Sequence, residues 1–149
     1  MVDRDARPAT YLALGRNLLR TGSRLRDAVG RRTQREFGIT ALQGDMLLLL
    51  AGRQSMICAE LAAACGVNAS TVTHAVDAAI GRGLMRRDRN VGDRRLVDIA
   101  ITPEGVAVAT RMETLLAEVA ADAVHGMSPA EITRFAAGVA RVGRNLAAP

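Results

Sequence analysis

Two neighbouring groups of side chains in this sequence are suited to hydrogen bonding with a polyanion. Asn68, Ser70, Thr71, Thr73 and His74 open a helical pattern just after a tight turn at Gly66-Val67. Arg86, Arg87, Arg89, Arg94 and Arg95 surround a second turn at Asn90-Val-Gly92-Asp93. Hydroxyls, a carboxamide and an imidazole at the start of a helix can meet base edges in a major groove, where a Thr methyl can also touch thymine. A two-stranded ribbon rich in Arg can follow phosphates or enter a minor groove whose negative potential favours guanidinium groups. The chemistry is that of contact with duplex DNA. Asp93 stands out beside a polyanion, and the expectation is that it pairs with Arg95 and holds the ribbon in shape. The plainer alternative gives Ser70 and Thr71 a capping role and the ribbon charge a solvating one.

These groups need a scaffold, and the sequence supplies its boundaries. A short helix over about Met56 to Ala64 precedes the turn, and a second runs from Asn68, a good N-cap, to about Gly81. Leu61, Ala62, Val67, Val72, Val76 and Ile80 have the spacing to hold the pair together. Leu84 to Arg87 and Leu96 to Ile101 then read as a hairpin, with Val97, Ile99 and Ile101 alternating against Asp98 and Ala100. Upstream, Thr40-Ala-Leu-Gln43 has the form of a capping box and opens a helix from about Leu42 to Ala51, apolar on nearly all sides. A long helix from Pro8 to about Arg35 carries Tyr11, Leu14, Leu18, Leu25 and Val29 on one side, and a bend or packed crossing is expected at Gly15, Gly22 or Gly30. Thr102-Pro103-Glu104 and Ser128-Pro129-Ala-Glu131 start two further helices. Their apolar stripes include Met112, Leu115 and Val119, then Ile132, Phe135, Val139, Val142 and Leu146. Stripes at both chain ends exceed what the middle segment can cover, which points to pairing with a second copy; the plainer alternative is that these helices cap their own domain.

Composition narrows the classes. The chain has 149 residues and 49% hydrophobic residues, enough for one core. No apolar run approaches the roughly 20 residues needed to span a bilayer, and MVDRDARPAT lacks a secretory core, so a soluble cytoplasmic protein is the expectation. The net charge is +5 and every cation is Arg. The excess lies from Met1 to Glu36 and from Arg82 to Asp98, which suits a partner with repeating negative charge. Cys58 and Cys65 are seven positions apart, about 10 Å on a continuous helix, too far for a disulfide between them. They read first as small buried residues, with thiol-based redox regulation as an alternative. No nucleophile–base pairing, phosphate loop or metal cluster suggests an enzyme, a cofactor or a metal.

Taken in order, Ile39-Thr40-Ala-Leu-Gln43, Glu60-Leu61-Ala62, Gly66-Val67, Ser70-Thr71-Val72-Thr73, Gly83-Leu84, Asp93-Arg94-Arg95 and Ile101-Thr102-Pro103-Glu104-Gly105 resemble the MarR (multiple antibiotic resistance regulator) family of transcription factors, over about Tyr11 to Leu146. The resemblance implies a mainly α fold with a small β-hairpin: a winged helix-turn-helix lobe at 40–102 flanked by dimerisation helices at 8–37 and 103–147. It implies a homodimer that binds a palindromic operator as a sequence-specific regulator, in most cases a repressor, released by a small aromatic or phenolic carboxylate. The recognition helix would be Asn68 to Arg82 and the wing Arg86 to Val97. Two departures stand out: His74 and Ala78 replace common Arg residues, so the recognition helix has no permanent cation between Val67 and Ile80. An imidazole donates as a cation only toward acid pH, so operator affinity is expected to rise toward pH 6 through His74. Tyr11, Arg16 and Arg20 are the candidate carboxylate site, with a solvated helix face as the plainer reading. A winged domain that binds another protein instead of DNA is the other reading left open by the Arg-poor helix.

Overall fold

The computed structural model describes residues 8–53, 55–93 and 95–147. Its elements run α1 (Pro8–Phe37), α2 (Ala41–Arg53), β1 (Ser55–Ile57), α3 (Cys58–Cys65), α4 (Ala69–Gly81), β2 (Met85–Arg89), β3 (Val97–Ile101), α5 (Pro103–Ala123) and α6 (Pro129–Ala147). The helix starts follow from their caps. At α2 the Thr40 amide donates to Gln43 Oε1 at 2.9 Å and the Gln43 amide to Thr40 Oγ1 at 3.2 Å. Asn68 Oδ1 accepts from the Thr71 amide, Thr102 Oγ1 accepts from the Gly105 amide, and Ser128 and Glu131 close a box at α6. Each satisfies amides that a helix start leaves without partners.

The hairpin is part of a three-stranded antiparallel sheet in the order β1-β3-β2. Ser55–Ile57 is a strand rather than the first turn of the next helix, pairing Met56 with Ile99. Three residues are too few to display an alternation, and the free edge of β3 recruits them. The cysteines accordingly sit at the two ends of α3, both free.

One core joins the lobe. Met46, Leu47 and Leu50 of α2, Leu61 of α3, Val72 and Val76 of α4, Met85 and Ile99 of the sheet, and Met112 of α5 are all essentially sealed from solvent. α2 lies at its centre, packed against α5, α3, α4 and the sheet. The helix-pair residues behave as their spacing predicts: Leu61, Ala62, Val72 and Val76 are buried, with Val67 and Ile80 packed against them. α1 is a single helix. Of its glycines, Gly30 makes the packed crossing, where a Cβ would lie 3.4 Å from Ala41 Cβ.

The chain ends are a different matter. α1 buries only Thr33, and α6 buries nothing at all. Phe135 and Val139 of α6 are 52% and 51% exposed, and Leu14 and Leu18 of α1 are 51% and 44% exposed. Among the described residues no element covers these stripes.

Gly105 marks the tightest approach in the lobe: a Cβ there would stand 2.2 Å from the Leu84 carbonyl oxygen and 2.7 Å from Ile101 Cγ1. Gly52, in contrast, has open space around it. Gly105→Ala is expected to cost about 1–3 kcal/mol or more in urea denaturation, and Gly52→Ala to be neutral or stabilising by up to about 1 kcal/mol. Equal midpoints for the two variants would contradict this packing.

Candidate nucleic-acid interface

α4 begins at an exposed end. Asn68, Ser70, Thr71, Thr73 and His74 are all exposed, while Val72 and Val76 on the other side are sealed in the core. The hydroxyls are engaged locally: Ser70 Oγ and Thr71 Oγ1 donate to Asn68 Oδ1 at 2.7 and 2.8 Å, and Thr73 Oγ1 donates to the Ala69 carbonyl at 2.9 Å. Capping and exposure therefore coexist in the same residues, and each hydroxyl oxygen keeps acceptor capacity.

The wing divides its charge. Arg86 bonds Asp88 within its own strand, at 2.9 Å, and this contact holds the Arg86 guanidinium above its usual range. Arg87 reaches across to Asp77 of α4 at 2.6 Å, tying wing to helix. Arg89 and Arg95 are exposed and form no ion pair among the described residues. Arg94 lies outside the described residues. Asp93 does hold the turn in shape, but through the backbone: its Oδ1 accepts from the Arg95 amide at 2.9 Å, and among the described residues no guanidinium pairs with it. Asn90 supplies the rest of the turn, accepting from the Gly92 and Asp93 amides and donating to Asp98. Val91 stands fully exposed at the tip.

Several contacts that organise this face have no simple signature in the sequence. Gln43, besides capping α2, donates Nε2 to the Ala75 carbonyl of α4 at 3.2 Å. Arg82, the residue that ends α4, donates to the carbonyls of Phe37 and Gly38 at 2.7 and 3.0 Å. Arg111 of α5 lies over the Phe37 ring, 5.0 Å from its centroid. Arg32 of α1 bridges Glu36 and Glu118 of α5.

Two open cavities border the lobe, and Asp45 lines both. One, about 380 Å³, is lined also by Leu48, Leu49, Ala64 and Cys65. The other, about 260 Å³, lies between α1, α2 and α5, lined by Gly22, Leu25, Arg26, Val29, Ala41 and Leu116. Tyr11, Arg16 and Arg20 line neither. On a helix of 100° per residue Arg16 and Arg20 lie about 40° apart and Tyr11 about 140° around the axis from Arg16. Partial burial pushes the Asp45 carboxyl up, opposed by the charge of Arg26. Burial, and then the Asp45 charge, push the Cys65 thiol up as well, the opposite of what a reactive thiolate needs. Among the described residues no group of His, Cys and carboxylates is placed to hold a metal, and no helix is long and apolar enough to cross a membrane.

A family model described as the MarR family matches residues 39–97. No curated protein matches significantly. Among solved structures, the transcriptional regulator BldR from Sulfolobus solfataricus is 21% identical, with 91% of this chain and 96% of that one covered and a TM-score of 0.80. The apo form of wild-type MarR from E. coli is 19% identical, covering 87% and 95%, with a TM-score of 0.79. BpsR from Bordetella bronchiseptica, whose DNA binding is regulated by 6-hydroxynicotinic acid, is 22% identical, covering 88% and 98%, with a TM-score of 0.74. At these identities the likeness is one of fold.

The raised Asp45 carboxyl gives a pH test. A carboxyl whose folded pKa lies above its unfolded value favours the fold below that unfolded value and loses its contribution as pH rises through the folded one. Charged Asp45 thus costs stability at neutral pH. Asp45→Asn is expected to melt higher than the unaltered chain at pH 7, with the gap closing as pH falls below the ordinary carboxyl value of 3.8. A lower melting temperature at pH 7 would show that Asp45 is instead stabilised by its surroundings.

Proposed function

We propose that this chain, whose winged segment at residues 39–97 is of the MarR family and whose fold is that of the family's solved regulators, is a transcriptional regulator that binds double-stranded DNA sequence-specifically as a homodimer. It acts on a palindromic operator, as a repressor, in the cytoplasm. The observation that carries this reading is the joint exposure of the α4 start and the wing cations Arg89 and Arg95 on a lobe whose opposite surfaces are packed. Asn68, Ser70, Thr71, Thr73 and His74 read bases in the major groove. Arg86, Arg87, Arg89, Arg94 and Arg95 meet phosphates beside it, with Asp93 shaping the tip. Arg86 and Arg87 must exchange Asp88 and Asp77 for phosphate, an exchange made easy because solvent-screened surface ion pairs hold weakly.

Dimerisation is supported by the unburied stripes of α1 and α6. A second copy covers Ile132, Phe135, Val139 and Val142 without drawing on the lobe, leaving two recognition helices free to meet successive half-sites. A small-molecule effector is better served by the cavity between α1, α2 and α5 than by Tyr11, Arg16 and Arg20. The thiol-based alternative is opposed by the separation of Cys58 and Cys65 on α3 and by the protonated state that burial favours for Cys65.

Gel shifts of the full chain on duplexes selected from a random pool test the DNA reading. Arg95→Ala is expected to weaken all duplexes alike and to flatten the plot of log affinity against log salt by roughly 0.9 for each phosphate that is no longer neutralised, about 2 for a dimer. Thr71→Ala and Thr73→Ala should instead relax base preference. Failure to select any duplex would leave the protein-binding reading in possession. Separately, Val139→Glu is expected to convert the dimer to monomer in sedimentation; an unchanged mass would remove α6 from the seam.

A further inference from the structure

Besides the wing's Arg87–Asp77 bridge, two polar grips hold α4 from the side where α1 turns into α2. Gln43 Nε2 takes the Ala75 carbonyl in the middle of the helix. The Phe37 and Gly38 carbonyls take both arms of the Arg82 guanidinium at its end. The corner is shaped for this. Gly38 is in the left-handed conformation at φ 66°, and a Cβ on it would come within 3.3 Å of both Arg82 terminal nitrogens. The last carbonyls of α1 have no partner within that helix and sit at the negative end of its dipole, so a planar cation is the natural ligand for them. The corner is itself fastened to α5 through Arg111 over Phe37 and through Arg32 with Glu118.

Core packing through Val72, Val76 and Ala79 sets how deeply α4 sits, but apolar contact has no direction. Hydrogen bonds do, and two of them on one helix define its axis. Ala75 and Arg82 are seven residues apart, a baseline of roughly 10 Å. Ser70 projects five residues beyond the first grip, roughly 7.5 Å. A tilt of α4 about Ala75 on release of Arg82 would carry a shift at the Arg82 end to Ser70 at about 70% of its size. Because the far side of the Arg82 grip is α1, a helix of the proposed dimer seam, the same bond ties the reading helix to the dimer axis without passing through α3 or the wing.

We infer that Arg82, seated on the Phe37–Gly38 carbonyls and seconded by Gln43, is a positioning residue that sets the pitch of α4 against α1 and thereby the half-site spacing the dimer accepts. The inference rests on the DNA-binding reading above and adds to it a residue that touches no DNA.

The test uses the full-length chain, a duplex it selects from a random pool, the same duplex with one base pair inserted or removed between half-sites, and a single half-site. The unaltered dimer should prefer the selected spacing by tenfold or more. Arg82→Ala should shrink that preference at least threefold, keep half-site affinity within twofold and leave the salt slope unchanged. Arg82→Lys, which keeps the charge and one of the two bonds, should recover part of the preference; it carries the comparison if the alanine variant does not fold. Gln43→Met should act in the same direction as Arg82→Ala. A uniform loss on all four duplexes would make Arg82 merely structural, and a flattened salt slope would place it on phosphate; either overturns the inference. If no duplex is selected at all, the DNA reading falls and takes this inference with it. If selection succeeds and the spacing preference survives in both Arg82 variants, only the inference falls.

Discussion

The structure turns on an imbalance of apolar surface. α6 is nineteen residues long and every one of them is exposed, yet Ile132, Phe135, Val139, Val142 and Leu146 recur along it at spacings of three and four. Its start is well capped: Ser128 bonds the Glu131 carboxylate through hydroxyl and amide, which holds that carboxyl below its usual range. A cap contributes about 0.5–2 kcal/mol, whereas fixing each backbone residue costs about 1–2 kcal/mol, so a cap cannot hold such a helix alone. Burying each of the five side chains is worth about 1.5–3 kcal/mol. The stripe is therefore what a second copy would be held by. The exposed leucines of α1 extend the same requirement to the other chain end.

Charge is arranged on a different logic. The reading end of α4 carries hydroxyls, a carboxamide and an imidazole but no guanidinium, and the cations sit on the wing beside it. On the proposed DNA-binding reading, affinity and discrimination are divided between two elements. Phosphate contacts supply binding that is strong, general and sensitive to salt, while base edges supply small differences between sequences. Asp77 bridges the two elements through Arg87, at 2.6 Å.

How much of this was legible follows from the range of the interaction involved. The caps at Thr40, Asn68, Thr102 and Ser128 are local, spanning three residues, and each forms the bond its sequence pattern announces. The core face of the helix pair, set by periodicity, was legible for the same reason. β1 was not, because three residues show no period and their strand character comes from β3, more than forty residues away. Asp93 is legible as a residue that shapes the turn, but its partner is not: in so tight a turn the Arg95 amide is nearer than its guanidinium. Arg82 and Asp45 escape altogether, since their surroundings are made by residues distant in the chain: Phe37, 45 positions from Arg82, and Leu116, across the cavity from Asp45. Tyr11, Arg16 and Arg20 lie along α1 away from both cavities, with Arg16 and Arg20 on one face of the helix.

Two features that sequence could not reveal lie on one continuous helix. Gly22, Leu25, Arg26 and Val29 of the cavity and Phe37 of the corner all belong to α1, with about 16.5 Å of axial rise between Arg26 and Phe37. α2 closes the other side of that cavity with Ala41 and Asp45 and carries Gln43 on the same turn. A molecule seated there would wedge α1 from α2, the two elements whose junction holds α4 at Ala75 and Arg82. It would need no contact with α4 to change that helix's pitch. The energetic requirement is only that it bind one separation of α1 and α2 better than another, because a ligand shifts a conformational equilibrium by its differential affinity and by nothing else.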